Sequence, residues 1–286
     1  MTIGPNAIHA WHPAAWLGVR GPDAFSFLQG QFTNDLRELD RSPAIYGLWL
    51  NQKGRVLADA FVLRGTAPEV YWVGSYFSPA AVIRERLGRY LVADDVIIRD
   101  ETEAWKGVTL AGPNAMEAAR ALGDGFVFAG RRGLSGAAEF VARTMPKIPG
   151  ATGLSADDME RARIRAGIAA VPADIGPAEL PNEGGLEATA ISYMKGCYLG
   201  QEVMSRLKSM GQVRRQLLRV RGVGPSPPRP AKLYQGPKPV GELRSTAPDG
   251  AGFIGFALLT MLNLRRDAGL SLAPDAPIAL TVTDPS

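Results

Sequence analysis

The sequence predicts an α+β fold, with two α+β subdomains followed by a mostly β C-terminal module. Short apolar segments rich in β-forming residues recur through the first 150 residues, and segments with helix-start signals lie between them. After a proline-rich stretch at 222–239, strand-like segments predominate. The chain has 286 residues, of which 46% are hydrophobic, enough for two or three domains and a sizeable core.

The first hundred residues predict antiparallel strands packed with helices. Asp23 is a plausible N-cap for a helix through "DAFSFLQGQFTNDL". The segment "AIYGLWLNQKGRVLADAFVLRG" predicts a hairpin with its turn at 51–54, and "EVYWVGSYF" predicts a third strand. Ser78 and Pro79 supply a cap and a first-turn proline for a helix that ends near Tyr90, and "DDVIIRD" predicts another strand.

A similar alternation follows. "WKGVTLAG", "GFVFAG" and "AAEFVAR" predict strands, and "PNAMEAARAL" predicts a helix. Ser155 and Asp158 form the pattern of a capping box at the start of the helix "ADDMERARIRAGI". Residues 169–185 are loop-like, and a short helix is expected to open at Gly200. The proline-rich stretch predicts a domain boundary or an edge strand that leads into a small β-barrel.

Several classes of protein are excluded by composition. The net charge of +4 favours anionic ligands but is weaker than the concentrated basic face of a nucleic-acid-binding domain. The only histidines, His9 and His12, lie near the N-terminus, which argues against a histidine-based catalytic triad or a standard zinc site. A phosphate-binding loop and a dinucleotide-binding fingerprint are also missing from the sequence.

Cysteine usage and hydropathy predict a soluble cytoplasmic protein. A single cysteine, Cys197, excludes an internal disulfide framework and indicates a reducing compartment. The N-terminal residues lack the pattern of a signal peptide. The longest apolar stretch, around "FIGFALLTMLNL", is shorter than the roughly 20 residues that a membrane-spanning helix needs.

Cys197 lies in the segment "SYMKGCYLGQEV", whose residues favour an accessible, activated thiol. Lys195 offers a positive charge, and the helix expected after Gly200 offers free backbone N–H groups; both stabilise a thiolate. Gly196 and Gly200 remove side-chain bulk on either side. An inert, buried cysteine in a turn is the alternative that these residues leave open.

The segment "KGCYLGQE" resembles the signature of the YgfZ / iron–sulfur cluster assembly factor family of folate-binding proteins. The segments "GPDAFSFLQGQFTNDL", "LNQKGRVLADAFVL", "ERARIRAGI" and "LPNEGGLEATAISYMKGCYLGQEV" are similar to other parts of that family, as is the C-terminal "VGELRST…GFALL". The resemblance spans about residues 17–260. The family shares a superfamily with the glycine-cleavage aminomethyltransferase, or T-protein.

The resemblance implies a T-protein-like cloverleaf, in which two α+β subdomains and a C-terminal β-barrel surround a central channel for tetrahydrofolate. On this basis residues 1–50 and 151–210 are expected to form the first subdomain, which contains the cysteine motif. Residues 51–150 are expected to form the second subdomain, and residues 211–286 the barrel.

The resemblance also implies a set of folate-binding residues. Glu183 matches the position of the superfamily's pterin-binding glutamate, whose carboxylate accepts two N–H groups at once. Tyr198, Gln201, Arg206 and Arg215 are further candidates. Lys208 and Arg214 offer additional cations, and Tyr193 and Trp49 offer additional aromatic walls. For each of these the alternatives stay open: a solvated loop acid, a solvated charged face, or aromatic side chains of the core.

Asp59 joins Cys197 and Lys195 as a candidate catalytic residue. T-protein carries an acidic pair just after its hairpin glycine, whereas this chain has Ala58 and Asp59; Gly74 stands near the place of a T-protein asparagine. An aminomethyl transfer needs polar groups that orient the amine and assist proton transfer, so their partial loss argues against glycine cleavage. Asp59 could act with folate or cap the hairpin.

The resemblance implies a folate-binding accessory protein that supports iron–sulfur cluster assembly or repair, and through it iron–sulfur enzymes such as tRNA-modifying enzymes. Its expected partners are iron–sulfur client or assembly proteins and reduced folate, with no DNA and no membrane. No metal site is expected on this chain alone. The alternative is a folate-dependent one-carbon transferase or demethylase of the aminomethyltransferase type. A third hypothesis, direct RNA binding, lacks the aromatic stacking platform of single-stranded RNA readers.

Overall fold

A computed structural model describes residues 7–210 and 213–283 of the chain. The strands in this part of the chain are β1 (Ala7–Trp11), β2 (Ala15–Arg20), β3 (Ala44–Leu50), β4 (Val56–Arg64), β5 (Val70–Ser75), β6 (Ile97–Asp100), β7 (Lys106–Ala111), β8 (Phe126–Ala129), β9 (Ala138–Ala142), β10 (Thr152–Gly153), β11 (Arg215–Val223), β12 (Ala231–Gln235), β13 (Lys238–Asp249), β14 (Gly252–Thr260) and β15 (Leu280–Val282).

The α-helices in the same part are α1 (Ala24–Gln31), α2 (Ala80–Gly88), α3 (Ala115–Arg120), α4 (Ala156–Arg165), α5 (Glu187–Ala190) and α6 (Gln201–Met210). Short 3₁₀ turns occur at Leu36–Asp40, Thr102–Ala104, Pro181–Gly184 and Arg266–Ala268.

Sheet I contains the predicted hairpin and has the order β3-β4-β5-β2-β6, with every pair antiparallel. Helices α1 and α2 bury their apolar residues with this sheet; Leu28, Ile83 and Leu87 share one core cluster with Leu17 and Val62. The predicted hairpin, third strand and following helix are therefore confirmed.

The two predicted helix caps in this region have different outcomes. Asp23 is the N-cap residue of α1, as predicted, but its side chain does not cap the helix; its carboxylate accepts the backbone N–H of Asp95 at 2.8 Å. Ser78 precedes Pro79, which is itself the N-cap of α2, and the Ser78 hydroxyl donates to Asp59 instead. In both cases the side-chain oxygen that could cap the helix is hydrogen-bonded to a residue distant in sequence. A local sequence pattern does not reveal such a partner.

Sheet II has the order β10-β1-β7-β9-β8. Apolar residues of α3 pack against those of β7 and β9 in one core cluster. β1, at the start of the chain, pairs antiparallel with β7 and parallel with β10. β3, which ends at Leu50, and β4, which begins at Val56, pair with each other in sheet I. The subdomain boundary predicted between residues 50 and 51 therefore lies within one sheet and does not separate two sheets. The chain passes between sheets near 12–14 and 101–105 instead.

An aromatic cluster joins sheets I and II. Trp16, Phe61 and Trp72 of sheet I are buried with Trp105 and with Phe128 of sheet II. The ring centroids of Phe61 and Phe128 lie 4.9 Å apart, and those of Trp72 and Trp105 are also 4.9 Å apart. Burial of large aromatic side chains between the sheets fixes their relative position.

Sheet III has the order β12-β13-β14-β11-β15 and closes into a barrel. Backbone bridges connect Tyr234 of β12 with Ser271, and Leu270 with Leu280 of β15, so the segment 270–271 joins the two sheet edges. The proline-rich stretch leads into β12 at an edge, as predicted. The capping box of α4 is confirmed: Ser155 Oγ accepts the Asp158 N–H at 3.1 Å, and the Asp158 carboxylate accepts the Ser155 N–H at 3.0 Å.

Candidate functional site

The cysteine segment connects α5 to α6 and presents its thiol to solvent. Cys197 is free and exposed, whereas its neighbour Tyr198 is buried. Met194, earlier in the segment, is 91% exposed. No hydrogen bond joins the thiol to another residue in the part of the chain that the structure describes. The alternative of a buried cysteine is therefore wrong, and the reactivity of the thiol stays a prediction.

Lys195 anchors this segment to the end of α1. Its side chain is buried, and Nζ donates to the backbone carbonyls of Gln29 (2.5 Å), Phe32 (2.6 Å) and Asn34 (3.2 Å). Carbonyls at a helix C-terminus lack partners within the helix, so a buried ammonium suits them. Burial lowers the pKa of Lys195 to about 8.

The contact expected between Lys195 and the thiol is not part of this arrangement. Among the described residues no hydrogen bond links Lys195 to Cys197, since the ammonium is turned toward the three carbonyls. Its other close neighbour is the ring of Tyr198, whose centroid lies 5.3 Å from Nζ. The geometry supports a positioning role for Lys195, and its activating role stays a prediction.

The other end of the segment packs against the turn of the hairpin. Gly200 has φ of +89°, and a Cβ on it would lie 3.0 Å from the carbonyl oxygen of Asn51. A Cβ on Gly54, in the turn, would lie 2.8 Å from Met204 and 2.9 Å from Val203 of α6. Two glycines thus allow the turn and the start of α6 to touch, which fixes the segment at its C-terminal side.

Gln201 and Tyr198 form a local structure at the start of α6. Gln201 Oε1 accepts the backbone N–H of Tyr198 at 3.3 Å. The Tyr198 hydroxyl is buried and has no hydrogen-bond partner among the described residues, and burial raises its pKa. An unpaired buried hydroxyl costs free energy, which makes Tyr198 a candidate for a further polar contact.

Glu183 and Arg215, both predicted to bind folate, bind each other. Arg215 Nε donates to Glu183 Oε1 and Nη2 donates to Oε2, each at 3.0 Å, in a bidentate ion pair. Glu183 also accepts the backbone N–H of Leu180 at 2.8 Å. The carboxylate is buried, whereas the Arg215 side chain is 35% exposed. The hydrogen bond with Glu183 raises the pKa of Arg215.

Asp59 is buried in a shell of hydroxyl groups. Its Oδ1 accepts from Ser75 Oγ at 2.9 Å and Ser78 Oγ at 2.6 Å, and its Oδ2 accepts from the Tyr46 hydroxyl at 3.0 Å. Burial raises the pKa of Asp59, although the three hydroxyl donors oppose this rise. Asp59 also raises the pKa of Tyr46, second to burial itself. No direct contact links Asp59 to Cys197 among the described residues.

The remaining candidates divide between the surface and the core. Arg206 and Arg214 are exposed, and the ammonium of exposed Lys208 lies 4.4 Å from the ring centroid of half-buried Tyr193. Trp49 is fully buried against Phe32, so its interpretation as a folate wall is wrong.

Gly74 has a packing role. A Cβ at this position would lie 2.4 Å from the indole ring of Trp16 in the aromatic cluster. The asparagine that T-protein has near this position would therefore not fit without rearrangement of the cluster.

A cavity of about 330 Å³ lies where sheet II, α4 and sheet III meet, and we call it the intersheet cavity. Its volume is in the range of small-molecule sites. The lining includes His9 of β1, Phe77 after β5, Arg132, Arg163 of α4, Arg229 and Thr246 of β13. None of the predicted site residues belongs to this lining.

Arg132 and Glu139 form a buried charged pair beside the intersheet cavity that the sequence interpretation missed. Glu139 is fully buried and accepts from Tyr76 OH, Thr109 Oγ1 and Trp11 Nε1 at 2.8–3.0 Å. Arg132 Nε lies 3.6 Å from Glu139 Oε1. Burial raises the pKa of Glu139, which the cation and the three donors oppose. The available signal was an acid inside the apolar strand "AAEFVAR".

Comparison with known proteins gives three consistent results. Residues 13–129 match the GCVT N-terminal domain. The chain is 28% identical to the mitochondrial iron–sulfur cluster assembly factor IBA57 of Homo sapiens, over 94% of this chain and 82% of that protein. It is 29% identical to the tRNA-modifying protein YgfZ of Edwardsiella ictaluri, over 74% of this chain and 69% of that protein.

A solved structure shares the fold. The glycine cleavage system aminomethyltransferase T of Bartonella henselae superposes with a TM-score of 0.78 at 16% identity, covering 98% of this chain and 86% of that one. The predicted T-protein-like α+β fold is confirmed. Across the described residues, no helix combines the length and apolar character needed to cross a membrane.

Proposed function

Because the chain belongs to the YgfZ and IBA57 family within the group of GCVT-domain proteins, we propose that it supports iron–sulfur cluster assembly or repair as a folate-binding accessory protein. In this proposal Cys197 is the reactive thiol and tetrahydrofolate is the bound cofactor. The partners are iron–sulfur client or assembly proteins, tRNA-modifying enzymes among them, in the cytoplasm.

The observation that carries the proposal is the exposed thiol on a segment that is fixed at both ends. Lys195 holds one end through three carbonyls, and Gly200 packs the other end against the hairpin turn. A partner protein can therefore reach Cys197 without rearrangement of the core. A thiolate can ligate iron or exchange with a disulfide, and a single cysteine needs a partner's thiols to hold a cluster.

The ion pair of Glu183 and Arg215 fits a folate site. Arg215 presents two parallel N–H groups to the carboxylate, which is the donor pattern that the ring N–H and amino group of a pterin also offer. In this proposal the half-exposed Arg215 side chain releases the Glu183 carboxylate, which then binds the pterin, and Arg215 binds the anionic tail of folate. Glu183, held by the Leu180 N–H, keeps its place.

The thiol is tested by replacement of Cys197 with alanine in a strain that lacks the protein. We expect the variant to fold normally, because the side chain is exposed, but to fail to restore the activity of iron–sulfur enzymes. Met194→Ala, a change at an exposed residue of the same segment, is the matched control and should restore activity. Full restoration of iron–sulfur enzyme activity by Cys197→Ala would contradict the thiol hypothesis.

The folate site is tested by calorimetric titration of tetrahydrofolate into wild type and Glu183→Gln. Loss of a charge-assisted hydrogen bond should weaken binding by about 1.5–3 kcal/mol. Glu179→Gln is the control, since Glu179 is buried and lies 3.5 Å from the same arginine. Equal affinity of wild type and Glu183→Gln would remove Glu183 from the site, and equal losses in both variants would assign the effect to Arg215.

The alternative, a one-carbon transferase, is favoured by the likeness in fold to aminomethyltransferase T and by the retention of Asp59. Against it, this chain has Ala58 beside Asp59 where T-protein carries a second acid. Methyl or aminomethyl transfer to tetrahydrofolate that survives in Cys197→Ser would favour the transferase over the accessory protein.

A further inference from the structure

Arg132 is a buried arginine that lacks hydrogen-bond acceptors among the described residues. Its side chain is 8% exposed, yet its guanidinium donates no hydrogen bond to any residue in the described part of the chain, and Nε is buried without an acceptor. The carboxylate of Glu139, at 3.6 Å, balances the charge but is beyond hydrogen-bond distance. A guanidinium has five N–H donors; the one on Nε is buried and unpaired, which is costly, and those on the two Nη atoms donate to no described residue.

Aromatic rings hold the guanidinium in a fixed orientation. Its carbon atom Cζ lies 4.0 Å from the ring centroid of Tyr76, 4.7 Å from that of Trp11 and 5.8 Å from that of Phe77. Tyr76 and Trp11 are themselves fixed by hydrogen bonds to Glu139. A pre-oriented, weakly hydrated guanidinium binds carboxylate or phosphate oxygens in bidentate fashion.

The intersheet cavity gives a ligand access to this group. Arg132 and Phe77 both line it, and Phe77 is 39% exposed. Arg163, another lining residue, is bound to Glu160 and Asp174 and is not free for a ligand. Exposed Arg229 and Asp157 lie on the same lining with opposite charges, so the unused donors of Arg132, rather than the net charge of the lining, favour an anion.

We propose that the intersheet cavity binds a small molecule with an aromatic ring and a carboxylate or phosphate end, with its oxyanion on Arg132 and its ring against Phe77. This site is separate from the one in the proposed function, because neither Cys197 nor Glu183 lines the cavity. Ligand binding in the intersheet cavity is therefore independent of folate binding at Glu183.

The test is a ligand-observed NMR titration of the whole protein with benzoate, phenyl phosphate and benzamide. These probes share a ring and differ in the end group: a carboxylate, a phosphate and a neutral amide. We expect at least one of the two anions to bind about 10-fold or more tightly than benzamide, and the stronger anion identifies the preferred oxyanion.

Two variants assign the binding to Arg132. Arg132→Gln alone leaves the Glu139 charge buried, so the double variant Arg132→Gln/Glu139→Gln, which removes both charges, guards against misfolding. Either variant, once shown to be folded by circular dichroism, should weaken anion binding about 10- to 100-fold. Arg131→Gln, at the adjacent arginine over the Tyr46 ring, should change it less than about 2-fold.

The proposal is overturned if neither anion binds more tightly than benzamide, or if the folded double variant binds the anions as wild type does. Neither result bears on tetrahydrofolate binding, which is measured separately with the Glu183 variant.

Discussion

Lys195 connects two parts of the chain that are more than 160 residues apart. Its ammonium satisfies carbonyls at and just after the end of α1, and its backbone lies two residues before Cys197. The lysine of the motif thus fixes where the thiol lies. Lys195, which the sequence suggested as a chemical activator, is bound in the structure as an anchor, and its activating role stays a prediction.

The anchor is tested with Lys195→Met, which keeps the side-chain length but removes the three donors. We expect a loss of about 1–3 kcal/mol in the free energy of unfolding, because buried carbonyls lose their partner. Faster amide hydrogen exchange should be confined to residues 29–34 and 195–200. Lys53→Met, at an exposed lysine of the hairpin turn, should stay within about 0.5 kcal/mol of wild type. Unchanged exchange in Lys195→Met would refute the anchor.

Asp59 predicts a particular dependence of stability on pH. Because burial raises its pKa in the folded protein above the ordinary value of 3.8, the folded state holds this proton over a range where the unfolded state has released it. Its contribution to stability is therefore full below about pH 4 and falls as pH rises through the folded pKa.

Asp59→Asn removes this dependence. Urea unfolding at pH 4 and pH 7 should show the variant gaining stability relative to wild type as pH rises, with exposed Asp94→Asn as the control that shows no such gain. The opposite trend would mean that the hydroxyl donors outweigh burial and keep the carboxylate ionised.

At the scale of elements, the contact between the hairpin turn and α6 explains the glycine in the motif. Gly200→Ala would place a Cβ 3.0 Å from the Asn51 oxygen in a left-handed backbone conformation. We expect a loss of about 1–2 kcal/mol in chemical denaturation. Gly196→Ala is the matched control, since no atom of the described residues, its chain neighbours aside, lies within 4 Å of its added Cβ, and it should be nearly neutral. Equal stability of the two variants would contradict the contact.

The sequence predicted the elements whose signals are local. The hairpin, the capping box of α4 and the start of α6 follow from turn residues, caps and apolar spacing within a dozen residues. β1 and β2 were not predicted, because their residues show little alternation of apolar and polar side chains. β11 was not predicted as a strand because its three arginines interrupt the apolar residues, and Arg215 was considered only as a candidate folate ligand.

The site was predicted less completely than the fold, for a physical reason. The exposure of Cys197 followed from its neighbours, but the partners of Lys195, Glu183 and Asp59 lie far away in the sequence. A charged residue in a motif can bind a ligand or another residue, and sequence alone does not distinguish the two. Arg132 and Glu139 were missed because neither stands in a recognisable motif.

At the scale of the whole molecule, the aromatic cluster between sheets I and II holds together two parts of the chain that interleave in sequence. Phe128→Ala should cost about 3–5 kcal/mol in the free energy of unfolding, because it leaves a cavity against Phe61. Ile97→Ala, at a strand residue that is 55% exposed, should cost much less. Denaturant titration followed by tryptophan fluorescence measures both, and similar costs would argue against the cluster as the joint between the sheets.

Lys195 has a practical consequence for anyone who labels this protein. Alkylating reagents attack thiolates, so labelling is commonly carried out in alkaline buffer. Since the pKa of Lys195 is about 8, the same buffer strips a proton from the ammonium and leaves two N–H groups for three carbonyls. The pH dependence of the Cys197 labelling rate will then report two events: the ionisation of the thiol and the loss of a hydrogen bond between Lys195 and the end of α1.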